Sequence, residues 1–444
     1  RSSFIFNRHT HAILIPKIRY FYQNFGVIVI IERPLYLDRL IKRRENGMTK
    51  VITGIRRCGK SFLLHRLYGN WLKQNDVEPS HIVSVELDDM ENVHLRNPQA
   101  LYQHILAATE GEGVFYVFID EIQMVEGFSD VINGLMHRPN LDVYVTGSNS
   151  KFLSSDILTE FRGRGDEVRV RPLAFSEYLP AHGGDAGSAW ADYVMYGGMP
   201  LILSQPDDEM RAGYLQTLIS KVYLTDICDR NKVKDKEMLD ALVDVLASAD
   251  GSLTNPSKIE KTFRSHGKAS ATDKTIKRYI EFLIDAFLVS EAKRYDIKGR
   301  KYIGALAKYY FEDTGLRNAR LNFRQFEENH LMENIIYNEL LYRGWSVDVG
   351  VVNERVQTKD GKLANKQLEI DFVANRGGKR VYVQSAFAIP DSTKERQEKR
   401  SLELTKDSFK KVVVVKDIIK PWLDDNGTLT MGLFDFLLNP ADWE

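Results

Sequence analysis

Two short stretches of this chain hold residues of the right type and spacing for phosphate chemistry. The first is Gly54-Ile-Arg-Arg-Cys-Gly-Lys60-Ser61, which fits the G-x-x-x-x-G-K-[ST] pattern at every fixed position. Its glycines let backbone N–H groups curl around phosphate oxygens, so Gly54, Ile55, Arg56, Arg57, Cys58, Gly59, Lys60, Ser61 and Phe62 form the expected nucleotide-binding set. Lys60 is placed to reach the β and γ phosphates and Ser61 to put its hydroxyl on Mg²⁺. The second stretch, about sixty residues on, is Tyr116-Val-Phe-Ile-Asp120-Glu121. An apolar strand ending in adjacent acids suits one carboxylate for the metal, Asp120, and one for the attacking water, Glu121. Cys58 occupies a variable position of the loop and is read as filler rather than as a redox switch.

These residues need a strand, a turn and a helix to hold them. Lys50-Val-Ile-Thr reads as the strand running into the loop, and Phe62-Leu-Leu-His-Arg-Leu-Tyr has the apolar spacing of a helix. Unpaired N–H groups and the helix dipole both favour an anion there. Between 50 and about 172, expected strands at 51–53, 82–87, 115–119, 143–146 and 168–170 alternate with helical segments. That pattern implies a parallel sheet covered on both faces.

Composition narrows the rest. At 444 residues the chain has room for about three domains. Its 61 Lys and Arg balance 61 Asp and Glu, so any nucleic-acid contact must come from a local patch. Two cysteines, Cys58 and Cys228, make neither a disulfide framework nor a zinc site, which fits a reducing, cytoplasmic setting. The longest apolar run, Phe25-Gly-Val-Ile-Val-Ile-Ile, is far too short to span a bilayer, so no membrane role is expected. Residues 1–31 contain no acid and read as a peripheral extension, with a targeting peptide as the other reading.

Four further units are expected, starting with a domain over 32–180. Residues 181–250 read as a helical lid. Within 251–320, a short helix after Asn255-Pro, a longer one with Ile276, Ile280, Leu283 and Phe287 on one face, and two strands have the outline of a winged helix. Between 258 and 308 thirteen Lys and Arg face six Asp and Glu. That basic excess offers DNA a reading helix (Lys274, Lys277, Arg278) and a wing (Lys298, Arg300, Lys301). A solvated face for protein contacts is the alternative. Residues 321–444 open with a helix over 327–341 and continue with strands at 347–351, 368–373 and 380–384.

Residues 32–444 resemble the bacterial and archaeal AAA-type ATPases that carry a C-terminal winged helix and a nuclease-like domain of unknown function. The resemblance rests on residues 54–61, Phe118-Ile-Asp-Glu-Ile-Gln, Val145-Thr-Gly-Ser-Asn149, Phe161-Arg-Gly-Arg164, residues 172–179 and Tyr196-Gly-Gly-Met-Pro. It implies an α/β fold with ATP and Mg²⁺ as ligands. It also implies that Asn149 or Ser148 orients the attacking water, and that Arg164, with Arg162 as fallback, approaches the γ-phosphate of a neighbouring subunit in a homo-oligomer.

The C-terminal part is similar to PD-(D/E)xK nucleases. Asp371 matches the metal-binding Asp, Glu333 (or Glu339) the helix carboxylate, and Gln384 the Glu/Gln position. The lysine expected at 386 is Ala386. The resemblance therefore implies a binding remnant rather than a working nuclease.

Overall fold

The computed structural model describes residues 19–23, 26–148, 163–265, 272–357 and 363–444. Asn149 and Arg162 lie outside the described residues. Strands are numbered in chain order. Strands β1 (Arg19–Gln23) and β2 (Gly26–Ile30) pair as a hairpin that joins neither larger sheet.

The first large sheet contains β3 (Thr49–Thr53), β4 (Ile82–Glu86), β5 (Phe115–Asp120), β6 (Leu141–Gly147) and β7 (Gly165–Arg169). They lie in the order β4-β5-β6-β3-β7 with every pairing parallel. Every residue of β3 and β5 is buried, β5 as its apolar run requires and β3 with its Lys50 paired to Asp142. Alternate side chains feed two cores. Val51, Val117, Ile119, Val143 and Val145 pack with Leu101, Ile105 and Ile132 on one face. Ile52, Phe118 and Tyr144 pack with Leu63, Leu64, Tyr68 and Leu72 on the other. The helical stretch Phe62–Tyr68, continued by Gly69–Gln74, is therefore held by its apolar stripe, which presses its N-terminus against the loop.

The helical region begins at Ala186–Tyr196, with Asp185 accepting from the N–H groups of Gly187 and Ser188. Asp207 and Asp235 cap Asp208–Thr217 and Lys236–Ser248 in the same way. The Tyr196-Gly-Gly-Met-Pro segment has a packing reason. Gly197 has φ +73°, and a Cβ on it would lie 2.1 Å from Asp313 Oδ1. Gly198 donates its N–H to Asp313 Oδ2 at 2.7 Å, and its carbonyl accepts from Leu173 N at 2.7 Å. Burial pushes the Asp313 carboxyl up to about 6, against the N–H groups that favour its ionised form.

The second sheet departs from the expected division. Helices Pro256–Ser265 and Asp273–Asp285 are followed by the hairpin of β8 (Val289–Asp296) and β9 (Lys301–Phe311). Ile276, Ile280 and Leu283 are buried on one helix face, whereas Phe287 is buried beyond the helix end, at φ +56°. The strands after it are β10 (Ser346–Gln357), β11 (Leu363–Arg376), β12 (Lys379–Ala386), β13 (Lys410–Val415), β14 (Trp422–Leu423) and β15 (Thr428–Gly432). The hairpin is not free-standing: β8 pairs with β10 in parallel, through Val349↔Arg294 to Val351↔Asp296. The result is one eight-stranded sheet, β14-β15-β13-β12-β11-β10-β8-β9. Helix Glu328–Tyr342 lies against it and stops before Gly344, as expected.

Candidate nucleotide-binding site

The loop after β3 is shaped by a contact that only glycine allows. Gly54 has φ +141°, and a Cβ there would lie 1.9 Å from the Val170 carbonyl oxygen at the end of β7. Arg57 and Gly59 also have positive φ, +65° and +98°, so the loop turns back on itself. The Leu63 N–H bonds to the Gly59 carbonyl at 2.9 Å and begins the helix. Cys58 is buried, with its thiol on the Val170 carbonyl at 3.4 Å, and burial raises its pKa. A protonated, enclosed thiol is not reactive, which agrees with the filler reading. Lys60 is also buried, and its ammonium donates to the carbonyls of Gly54 and Ile55 at 3.0 and 3.1 Å. The cation is thus held over the loop that a phosphate would enter.

The acid pair is organised by β6. Asp120, buried at the end of β5, accepts a hydrogen bond from the Thr146 hydroxyl. The Thr146 hydroxyl oxygen in turn accepts from the Glu121 N–H at 3.0 Å. Glu121 adopts φ +52°, a left-handed conformation costly for a non-glycine residue. That turn takes its side chain off the strand direction. The carboxylate then receives the Gln123 amide and, at 3.4 Å, the Ser148 hydroxyl. Glu121 and Ser61 line one cleft of about 790 Å³. Arg164 is exposed at the start of β7, with its carbonyl accepting from Thr49 N at 2.9 Å. It is not among the described residues lining its own chain's cleft.

Sequence reasoning expected a helical lid over 181–250 but named none of its cleft residues, and it left out two other parts of this site. The far wall of the cleft comes from the helical segments Leu218–Leu224 and Thr225–Arg230, which contribute Lys221, Asp226 and Arg230. Asp226 and Arg230, four residues apart and paired at 2.7 Å, were readable as one helix face. Tyr223 also donates to the Arg56 carbonyl at 2.8 Å, tying this wall to the loop. Thr146 gave no signal beyond being a strand residue.

The last part is Arg33, near the start of the domain and ahead of its first strand. Its guanidinium donates to Cys58 O at 3.0 Å, to Arg171 O at 2.8 Å and to the Glu177 carboxylate at 2.8 and 3.2 Å. Burial opposes its charge most strongly, but Glu177, Tyr36 and Cys58 together outweigh that and hold its pKa above the usual value. Glu177 also accepts from Tyr342 OH at 3.2 Å. Both partners are fully enclosed, so removing one leaves an uncompensated buried charge. Arg33→Ala should therefore cost about 3–5 kcal/mol of stability, read by denaturant unfolding, and weaken nucleotide binding. Arg33→Ala/Glu177→Ala, which removes both charges, should recover part of the stability but not the brace on the loop.

Among the described residues no helix is long and apolar enough to cross a membrane. Residues 46–179 match the family model described as "AAA domain", and residues 187–327 match one described as "Domain of unknown function (DUF8612)". An uncharacterized protein of Haemophilus influenzae is 35% identical over 391 residues, covering 87% of this chain and 93% of that protein. An uncharacterized protein of Methanocaldococcus jannaschii is 23% identical over 374 residues, covering 81% of this chain and 79% of its own length. Among solved structures, the Aeropyrum pernix ORC1 protein in complex with DNA aligns with 66% of this chain and 93% of its own, at 13% identity and a TM-score of 0.32. A likeness that loose carries no functional argument. The chain belongs to the same family as the Haemophilus influenzae protein and carries an AAA-type P-loop ATPase domain.

Proposed function

We propose that the protein is a Mg²⁺-dependent ATPase whose nucleotide state controls its assembly and its engagement of DNA. The observation that carries the reading is one cleft bordered by the loop serine, the strand-end glutamate and cations of a helical lid. Mg²⁺, held by Ser61 and Asp120, would neutralise phosphate charge. Lys60 binds the phosphates from the loop. Glu121 orients the water and takes its proton, steadied by Thr146, Gln123 and Ser148. Asn149 is assigned to the same water. Lys221 and Arg230 give the lid a charge that responds to the nucleotide. In a homo-oligomer Arg164 serves the neighbouring cleft.

DNA engagement is assigned to the basic stretch 258–308. Lys274, Lys277 and Arg278 are exposed on the solvent side of helix Asp273–Asp285, opposite its buried face. Lys298, Arg300 and Lys301 are exposed at the hairpin tip. Two basic elements at the ends of one helix–hairpin unit suit the phosphate backbone of a duplex. The test is ATP turnover with and without single-stranded, double-stranded and branched DNA. We expect stimulation by at least one DNA that falls steeply with salt and is lost in Lys274→Ala/Lys277→Ala/Arg278→Ala. Turnover indifferent to all three would favour a second reading, a nucleotide-dependent protein-binding switch. That reading draws on the same exposed basic face, Lys274, Lys277 and Arg278 on the helix and Lys298, Arg300 and Lys301 at the hairpin tip, used for a protein contact.

A further inference from the structure

The nuclease-like resemblance assigns a divalent ion to Glu333, Asp371 and Gln384, and the structure offers that ion poor terms. The position is taken by a side chain from another element. Lys308 of β9 is buried, and its ammonium lies 2.8 Å from Glu333 Oε1, 2.7 Å from Glu369 Oε1 and 3.9 Å from Asp371 Oδ1. Glu333 Oε1 also accepts from Tyr310 OH at 2.6 Å, and Asp371 Oδ2 from Ser385 N at 2.8 Å. Gln384 turns its carbonyl oxygen to Asp371 N at 3.4 Å and its amide to Glu398 at 3.4 Å. Glu339, the other helix acid, pairs with Arg343. Ala386 is packed in an apolar cluster. Among the described residues no set of His, Cys, Asp and Glu side chains is arranged to hold a metal ion.

We infer that Lys308 is the resident cation of this site: the chain's own ammonium fills the place of the divalent ion, and the C-terminal sheet serves as a rigid mount for the basic hairpin. The chemistry of the donors supports this. Mg²⁺ requires about six oxygens in near-octahedral array at about 2.0–2.1 Å, whereas an ammonium donates at most three hydrogen bonds, and here it has Glu333 and Glu369 at hydrogen-bond distance with the Asp371 carboxylate 3.9 Å away. A buried ammonium is tolerable only when paired, so the acids and Lys308 require one another. The three acids come from helix Glu328–Tyr342 and from β11, and the lysine from β9, so a single charge ties the hairpin to both. Four residues on, just past the C-terminal end of β9, Glu312 receives Arg169 at 3.1 Å and Arg171 at 2.7 Å, from β7 and the residues just beyond it. The base of the hairpin is therefore pinned at two points by buried charge, and its basic tip is left exposed.

The inference is independent of the ATP site and is tested on nucleotide-free full-length protein. Calorimetric titration with Mn²⁺ should find the same number of sites in the wild type and in Asp371→Asn. Loss of one site in Asp371→Asn would overturn the inference, as would Mg²⁺-dependent nicking of DNA abolished by Asp371→Ala. Lys308→Met removes the ammonium and leaves the acids facing one another. In EDTA its Tm should fall by about 5 °C, and Mn²⁺ or Ca²⁺ should restore it. The same ions should leave the Tm of the wild type and of Lys308→Met/Asp371→Asn unmoved. Absence of rescue in Lys308→Met would show that no ion's place exists there and would also overturn the inference. If Lys308→Met does not fold, the wild-type and Asp371→Asn titrations decide the matter alone.

Discussion

Glu121→Gln should bind ATP as the wild type does and hydrolyse it about 10²–10⁴-fold more slowly, the contribution expected of a positioned general base. The substitution is close to isosteric. The amide oxygen can still accept from Gln123 and Ser148, and the backbone at φ +52° is unchanged, so the cleft should keep its shape. What is lost is the ability to accept a proton from the attacking water. Equilibrium binding of a fluorescent ATP analogue and steady-state phosphate release separate the two effects. Normal turnover would remove Glu121 from the role of base and leave its left-handed backbone without a catalytic reason.

Arg164→Ala should lower turnover by about 10³-fold or more, within the range measured for arginines supplied to phosphoryl-transfer sites, while leaving nucleotide binding by the monomer untouched. The expectation rests on placement, since Arg164 is exposed and absent from the described lining of its own cleft. If Arg164 serves a cleft, that cleft is then a neighbour's. Lys60→Ala supplies the complementary defect. It loses the buried ammonium at the loop, and with it nucleotide affinity, but keeps Arg164. Mixing the two inactive proteins should restore activity, because mixed assemblies contain an intact loop beside an intact arginine. No restoration at any ratio would count against a shared site. The two substitutions lie in different surroundings, one buried and one exposed, so a common folding defect does not explain such a result.

The parallel sheet was legible because its inner strands β3, β5 and β6 are enclosed on both faces and carry apolar runs such as Phe115–Ile119 and Val143–Val145, whereas the edge strands β4 and β7 are only partly buried. Observed limits shifted by one to three residues, as with Leu141–Gly147 against an expected 143–146. The longest strands were the least legible. Leu363–Arg376 extends five residues before its expected start through Leu-Ala-Asn-Lys-Gln, a polar stretch with no strand signature. Those residues are strand because β10 pairs with them from Gln357↔Leu363 to Val352↔Leu368, and such a partner is invisible to a local window. The union of the hairpin with the second sheet was hidden for the same reason, since the β8–β10 pairing joins segments more than fifty residues apart.

What the sequence determined by itself is the chemistry carried by adjacent residues. A glycine loop, its lysine and serine, and a strand ending in Asp120 and Glu121 need only neighbours in the chain, and backbone sterics make such motifs readable anywhere. The tertiary structure alone decided the partners. Arg33 reached Cys58 O and Glu177, Thr146 reached both acids, and Lys308 reached Glu333 and Glu369. Charge and hydrogen bonding act over a few ångströms of space, and only folding brings residues far apart in the chain within that distance.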